Sequence, residues 1–443
     1  MSRISEDKVV LDTDNHTDLL EGYKDIIARL INKYDFVTKD EYKNLVNFST
    51  NKEIPIHSWY DYKQGYARDL VASILNDVNP DKNLYVLDPF SGVGTTNLVA
   101  KELGYNSLGI DINPMAFFAS KVKLEDYTAN DINKIKTILK GFDKSKKWEF
   151  NEKPKVVESS FIEEKLDNLQ RIKGFIDSLT DVKAKNLLML AYLSIIEDAS
   201  IRVKDGNGLK LKKNKRQVDN IYDYFLSKCL HMLDDINATS YSKKTKHQFF
   251  NSSILIDETY QSVIDKKVGI SIFSPPYANC FDYCEVYKLE FWLGGFVDSY
   301  KGFAKYRSIA MRSHVNSKFD HNIQHHLSDV DTIANLISTY NIWNKNIPDM
   351  LRGYFDDMFE ILKRQSTMLV KGGKCFIVVA NSGYKGIMVP TDLLICDIAE
   401  KTGYKVNNIF YARKIRASGQ QNTDLHLNYD KLMRESIIEL ELI

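Results

Sequence analysis

Leu87-Asp88-Pro89-Phe90-Ser91-Gly92-Val93-Gly94-Thr95-Thr96 is the stretch whose reading decides the fold. Leu84-Tyr85-Val86-Leu87, at its start, is short and apolar, as a buried parallel strand should be. The two glycines end that run, and a helical pattern follows to about Leu103, with Gly104 where a C-terminal cap is expected. Ser107-Leu108-Gly109-Ile110-Asp111 then predicts a second strand. One strand–helix–strand unit of this length predicts an α/β protein with a mostly parallel sheet and helices on both faces.

The turn needs its residue types. Gly92 and Gly94 permit backbone angles and close ligand approach that a Cβ would block. Thr95 and Thr96 open the following helix, where their hydroxyls can cap it and free N–H groups face the loop. Such a turn either cradles a charged ligand or is simply a tight turn. Two neighbours favour the ligand. Asp111 ends the next strand 19 residues after Gly92, where an acid would hold a ribose hydroxyl pair. Asp88 precedes the glycines, which a dinucleotide site does not call for. A ligand with a free α-amino group does, because a carboxylate accepts a charge-assisted hydrogen bond from it.

A second feature lies downstream. Ser274-Pro275-Pro276-Tyr277 follows the apolar run Val268–Phe273. Paired prolines fix two φ angles and offer carbonyls but no N–H. Ser274 Oγ and the Pro275 carbonyl are candidate acceptors for an amine, and Tyr277 can stack on an extracted base. Alone, the tetrapeptide reads better as an ordinary strand-end turn.

Together, and in this order, the two stretches resemble the cofactor-binding and catalytic motifs of the S-adenosylmethionine-dependent DNA amino-methyltransferases. Gly109-Ile110-Asp111-Ile112-Asn113-Pro114 resembles their second motif. The resemblance implies that Asp88, Gly92 and Gly94 surround the methionine part of the cofactor, with Pro89, Phe90, Ser91, Thr95 and Thr96 in the same cofactor-binding set. It places Asp111 at the ribose and Ile112 beside the adenine. His57-Ser58-Trp59-Tyr60 resembles the segment that closes over the cofactor, so Trp59 and Tyr60 join the candidate set. Ser274 in the first position of the catalytic motif leans towards cytosine N4 as the target. Asp or Asn there is more usual for adenine N6. Cytosine C5 chemistry is disfavoured, since it needs a cysteine nucleophile, usually after a proline, and Tyr277 follows Pro276. The resemblance covers about 51–125, 247–296 and 351–443. It implies a Rossmann-like methyltransferase sheet in three pieces: a cofactor-binding half (51–125), a catalytic half (246–296) and a C-terminal part (351–443). Around them lie an N-terminal helical appendage (1–50) and two insertions, 126–245 and 297–350.

The insertions match no family, but both carry cations. Arg202–Arg216 holds seven basic residues against one acidic and reads as an exposed basic loop. Arg202, Lys204, Lys210, Lys212 and Lys213 in it are candidate phosphate contacts. Arg307 and Arg312 in the second insertion are candidates for reading base edges. Each cation reads equally as part of a solvated face. His321, His325 and His326 have metal-like spacing but lack a cysteine or acidic partner, so no metal is expected.

Bulk properties set bounds. The chain has 443 residues, 44% of them hydrophobic and 27% charged, enough for a sizeable core. A net charge of +1 means that any nucleic-acid surface must be a local patch. Five cysteines, none in Cys-x-x-Cys spacing, argue against disulfides or a zinc knuckle and for a reducing compartment. A polar start and the lack of a long apolar run predict a cytoplasmic protein with no membrane contact. The expected partner is double-stranded DNA. No nuclease motif is recognisable, so a restriction endonuclease or defence partner would be a separate chain. A nucleic-acid-binding protein that kept the fold without catalysis is the reading from a different class. A nucleotide-dependent oxidoreductase would leave Asp88 and Ser274–Tyr277 without a role.

Overall fold

The computed structural model describes residues 13–205, 208–239, 241, 244–317, 323–415 and 432–443. Lys318, His321 and the 416–421 segment lie outside them. The described strands are β1 (Phe36–Thr38), β2 (Tyr85–Asp88), β3 (Asn106–Ile110), β4 (Arg202–Asp205), β5 (Gly208–Leu211), β6 (His247–Phe250), β7 (Val268–Phe273), β8 (Leu369–Ala380), β9 (Ser382–Tyr384), β10 (Ile387–Val389), β11 (Tyr404–Lys414) and β12 (Arg434–Leu442). The architecture is α/β, with mostly parallel sheet strands flanked by helices, a Rossmann-like methyltransferase fold.

The chain forms two compact units, one made of 47–253 and 282–309, the other of residues up to 46, 254–281 and 310–443. In the first unit β2, β3 and β6 pair in parallel, Leu87 opposite Leu108 and Leu108 opposite Gln248. Helix α1 is Thr13–Lys33, α2 Arg68–Val78, α3 Thr95–Glu102 and α4 Pro114–Leu124. Helix α3 packs on β2 and β3, and its end at Gly104 takes φ +75°, as a glycine cap should. Asn113 caps α4 through Met115 N and Ala116 N, and Pro114 occupies the first turn, where a missing N–H costs nothing. The 126–245 stretch is mainly helical. Its basic run is not an open loop: β4 and β5 pair as an antiparallel hairpin.

In the second unit β7 and β8 run parallel, and β12 lies antiparallel between β8 and β11. Lys371–Lys374, which reads as a turn in the sequence, is a kink inside the long strand β8. Gly372 there takes φ +74°, and the register with β7 shifts between Val268 and Ile270. The N-terminal segment is more than a helical appendage: β1 adds a parallel strand on β11, Phe36 opposite Ile409. Helix α1 buries Tyr23, Ile27 and Leu30 and packs on the helices Ser328–Ser338 and Thr391–Lys401. Asp392, wholly buried, accepts from Arg434 Nε and Ser436 Oγ, each at 2.8 Å, and so ties the second of these helices to β12. The five cysteines are buried and unpaired with one another. No described helix is long and apolar enough to cross a membrane.

Candidate active site

In the first unit the glycine turn leaves the carboxyl end of β2. Gly92 and Gly94 take φ +50° and +79°, a region that favours glycine. A Cβ on Gly94 would stand 2.9 Å from Ser120 Oγ, and one on Gly92 would stand 3.0 Å from the Tyr62 ring. The turn is therefore closed around small residues. Ser91 N donates to Ile110 O at 3.0 Å, Gly94 N to Ser91 O at 2.7 Å, and Ser120 Oγ to Gly92 O at 2.7 Å. Gly94 is itself the N-cap of α3, with no side-chain cap; the Thr96 hydroxyl, expected to cap, meets the Tyr66 hydroxyl instead.

Two carboxylates flank this turn. Asp88, buried, accepts from Phe90 N at 3.0 Å and from Tyr66 Oη at 2.9 Å. Asp111 accepts from Gly92 N at 2.7 Å and Asn113 N at 2.8 Å. Burial pushes Asp88 up to about 7 against the pull of its hydrogen bonds, and Asp111 up to about 6. Among the described residues both acids thus sit with hydrogen-bond donors but no countercharge. Ser91 Oγ is buried beside them with no partner among the described residues. A ligand bringing an ammonium and hydroxyls fits this set, and S-adenosylmethionine brings both.

Trp59 and Tyr60 have other duties. Trp59 Nε1 donates to Asp235 at 2.9 Å, and Tyr60 Oη to Glu290 at 2.9 Å. The aromatics that meet the glycine turn are Tyr62, against Gly92, and Tyr66, on Asp88. Sequence reading stopped at Tyr60 and missed both, although Tyr62 and Tyr66 stand in the same aromatic segment. Tyr62 also stacks on Tyr287, ring centroids 5.1 Å apart. Ile112 is half-buried just beyond Asp111, and its carbonyl accepts from Asn251 Nδ2 at 3.1 Å.

In the second unit Ser274–Tyr277 leaves the carboxyl end of β7. Ser274, Pro276 and Tyr277 are half-buried, and Pro275 is buried. The turn is braced from behind: Ser382 Oγ and Tyr384 Oη both donate to the Ala278 carbonyl at 2.7 Å. The Tyr277 hydroxyl donates to Glu435 Oε1 at 2.5 Å. Two polar donors on one carbonyl and an anchored ring make this a fixed platform rather than a loose connection.

Residues 24–121 match the family model for DNA methylases of the N6/N4 type. Over 435 residues the chain is 26% identical to the type II methyltransferase M.BsoBI of Geobacillus stearothermophilus, covering 86% of this chain and 84% of that protein. It is 24% identical over 426 residues to M.AvaI of Anabaena variabilis, a type II methyltransferase covered to 86%. A shorter match, 36% over 205 residues, joins it to M.MjaII of Methanocaldococcus jannaschii, across 46% of this chain and 29% of that one. These matches support a DNA amino-methyltransferase of the N6/N4 type. Methyltransferases of this family use S-adenosylmethionine as methyl donor.

The basic residues of this methyltransferase divide by surroundings. Lys204 is buried, pairs with Glu290 and lies 3.4 Å from Glu197. Arg202 donates to Ser160 Oγ at 2.8 Å and Ser159 Oγ at 3.1 Å. Arg307 pairs with Asp282 and Glu285, and Arg312 with Asp356 and Asp357. These four cations are engaged inside the methyltransferase, unlike the open contacts expected of them. Lys210, Lys212 and Lys213 are exposed at the hairpin, Lys210 within 3.0 Å of Asp205.

Proposed function

We propose that the chain methylates the N4 amine of a cytosine flipped out of double-stranded DNA. Ser274 at the head of the proline turn carries the choice of base, since Asp or Asn is the more usual residue for adenine N6. Asp88 and the Gly92–Gly94 turn hold the methionine end of S-adenosylmethionine, and Asp111 holds its ribose. Bound there, the cofactor supplies a methyl group already activated on a sulfonium. The protein's task is then mainly alignment, which is worth several powers of ten in rate. Ser274 Oγ and the Pro275 carbonyl accept the two amine hydrogens and turn the nitrogen lone pair out of the ring. Tyr277 stacks on the flipped base and fixes its plane. No strong general base is required.

Mass spectrometry of nucleosides tests this directly, using mixed-sequence DNA incubated with the protein and cofactor. The expected product is 4-methylcytosine, absent with Tyr277→Ala. 6-Methyladenine would keep the site and overturn the base. Cofactor binding with no methylated nucleoside in DNA or RNA would leave a binding protein that kept the fold.

Similarity to type II methyltransferases supports a restriction–modification role, with any nuclease on a separate chain. Duplex contact is assigned to the segment just after β5, where Lys212 and Lys213 are exposed. Replacing both with glutamine should weaken binding evenly across sequences and lower the slope of log affinity against log salt by about 2. An unchanged slope in a fluorescence-anisotropy titration removes this segment from the interface.

A further inference from the structure

We infer that Glu435 is a positioning residue for the reaction, acting through the ring of Tyr277. The inference rests on Ser274–Tyr277 being the catalytic turn. Its basis is topological. β7 and β8 are parallel, so Phe273 and Ala380 lie at the same edge of the sheet. β12 runs the other way and pairs Glu435 with Ala380, which brings its first residues, not its last, to that edge. Arg434 and Glu435 thereby reach the turn that follows β7 from 158 residues away.

The contact itself is specific. Glu435 is 2% exposed. One carboxylate oxygen accepts from the Tyr277 hydroxyl, and the other accepts from Arg413 Nε on β11 at 2.6 Å. A carboxylate held at both oxygens fixes the hydroxyl that it receives, and a charge-assisted bond is the stronger kind. Tyr277 itself is only half-buried, so packing alone does not fix its ring. A ring that must present one face to a flipped base gains from a restraint at its far end. Alignment catalysis is sensitive to such restraint, because a shift of about 1 Å can cost 100-fold.

The test compares Glu435→Ala, Glu435→Gln, Tyr277→Phe and Tyr277→Ala in the full chain, on a duplex carrying the mapped methylation site. Glu435→Ala and Tyr277→Phe should each lower kcat by roughly 10- to 100-fold, with KM for DNA little changed. Combining them should cost no more than Glu435→Ala alone, because the bond that Tyr277→Phe removes is already lost there. Glu435→Gln keeps an acceptor and should restore most of the rate. A second readout needs no turnover: 2-aminopurine at the target position should be quenched by stacking in the wild type and brighter in Glu435→Ala and Tyr277→Phe. Tyr277→Phe removes only a hydroxyl from a half-buried ring, so it carries the test if Glu435→Ala misfolds. Full kcat and unchanged emission in Tyr277→Phe, with Tyr277→Ala inactive, overturns the positioning role and leaves the catalytic turn standing. An active Tyr277→Ala overturns the catalytic turn, and the inference with it.

Discussion

Asp88→Asn should weaken S-adenosylmethionine binding by roughly 10- to 100-fold, the range expected when a buried hydrogen bond to a charged group is lost. The same substitution should stabilise the cofactor-free protein at pH 8. The two effects have one cause. Burial pushes Asp88 up to about 7 from an ordinary 3.8. A carboxyl whose folded value is raised contributes stability that is complete below about pH 4. That contribution is lost as pH rises through about 7, because the charged form is then buried without a countercharge. Asparagine carries no such charge. Binding runs in the opposite direction, since an ammonium needs the carboxylate. Wild-type affinity should fall as pH drops below about 7, by up to about tenfold per pH unit, and more steeply below about 6, where Asp111 also protonates. In Asp88→Asn only the step near 6 should remain. Calorimetric titration with S-adenosylmethionine between pH 5.5 and 8.5 reads both curves. A flat wild-type profile would show that neither carboxylate meets the ligand.

Lys204→Met should be the most destabilising single change in the hairpin, by about 3–5 kcal/mol. Lys204 is 3% exposed in its side chain and Glu290 1%. Removing the cation leaves Glu290 buried with the Tyr60 hydroxyl and a backbone N–H but no cation on it among the described residues, and Glu290 Oε2 already lacks a partner there. Burial raises the Glu290 carboxyl above its usual range even with Lys204 in place. The double change Lys204→Met with Glu290→Leu should recover most of the loss, because replacing both charges avoids the orphaned carboxylate. Denaturant midpoints of the single and double variants decide the matter. Equal loss in both would make the effect one of packing volume. Lys204 Nζ also lies 4.6 Å from the centre of the Tyr287 ring, which stacks on Tyr62, which covers Gly92. The single variant should therefore loosen cofactor binding as well.

The sequence carried the glycine turn and the proline turn plainly, because each imposes backbone demands that few residue types meet. Positive φ at Gly92 and Gly94 and the acid at the end of the next strand are local requirements, readable in a short window. The residues that brace those turns were not readable. Tyr66 looks like any aromatic until it stands on Asp88, and Glu435 opens an antiparallel strand whose register no local pattern reveals. The basic run misled for a related reason. Composition counts charges, whereas Lys204, Arg202 and, further on, Arg307 and Arg312 are directed inward by tertiary partners. β1 was missed because three residues between a helix and a turn give no period to detect.

The pairing of β1 with β11 has a bearing on how the protein is made. Phe36 and Ile409 stand side by side in the sheet but about 370 residues apart in the chain. At the usual pace of synthesis the ribosome needs roughly 20–75 s to cover that distance. During that interval the strand has no partner, and the buried face of α1 waits for the helices Ser328–Ser338 and then Thr391–Lys401. The unit built from 47–253 has most of its segments well before then. Slow or interrupted translation should thus yield a chain with its glycine turn formed and the apolar face of α1 uncovered. Chaperones that hold such surfaces are the expected attendants of its synthesis, and lower growth temperature the expected remedy when it is overproduced.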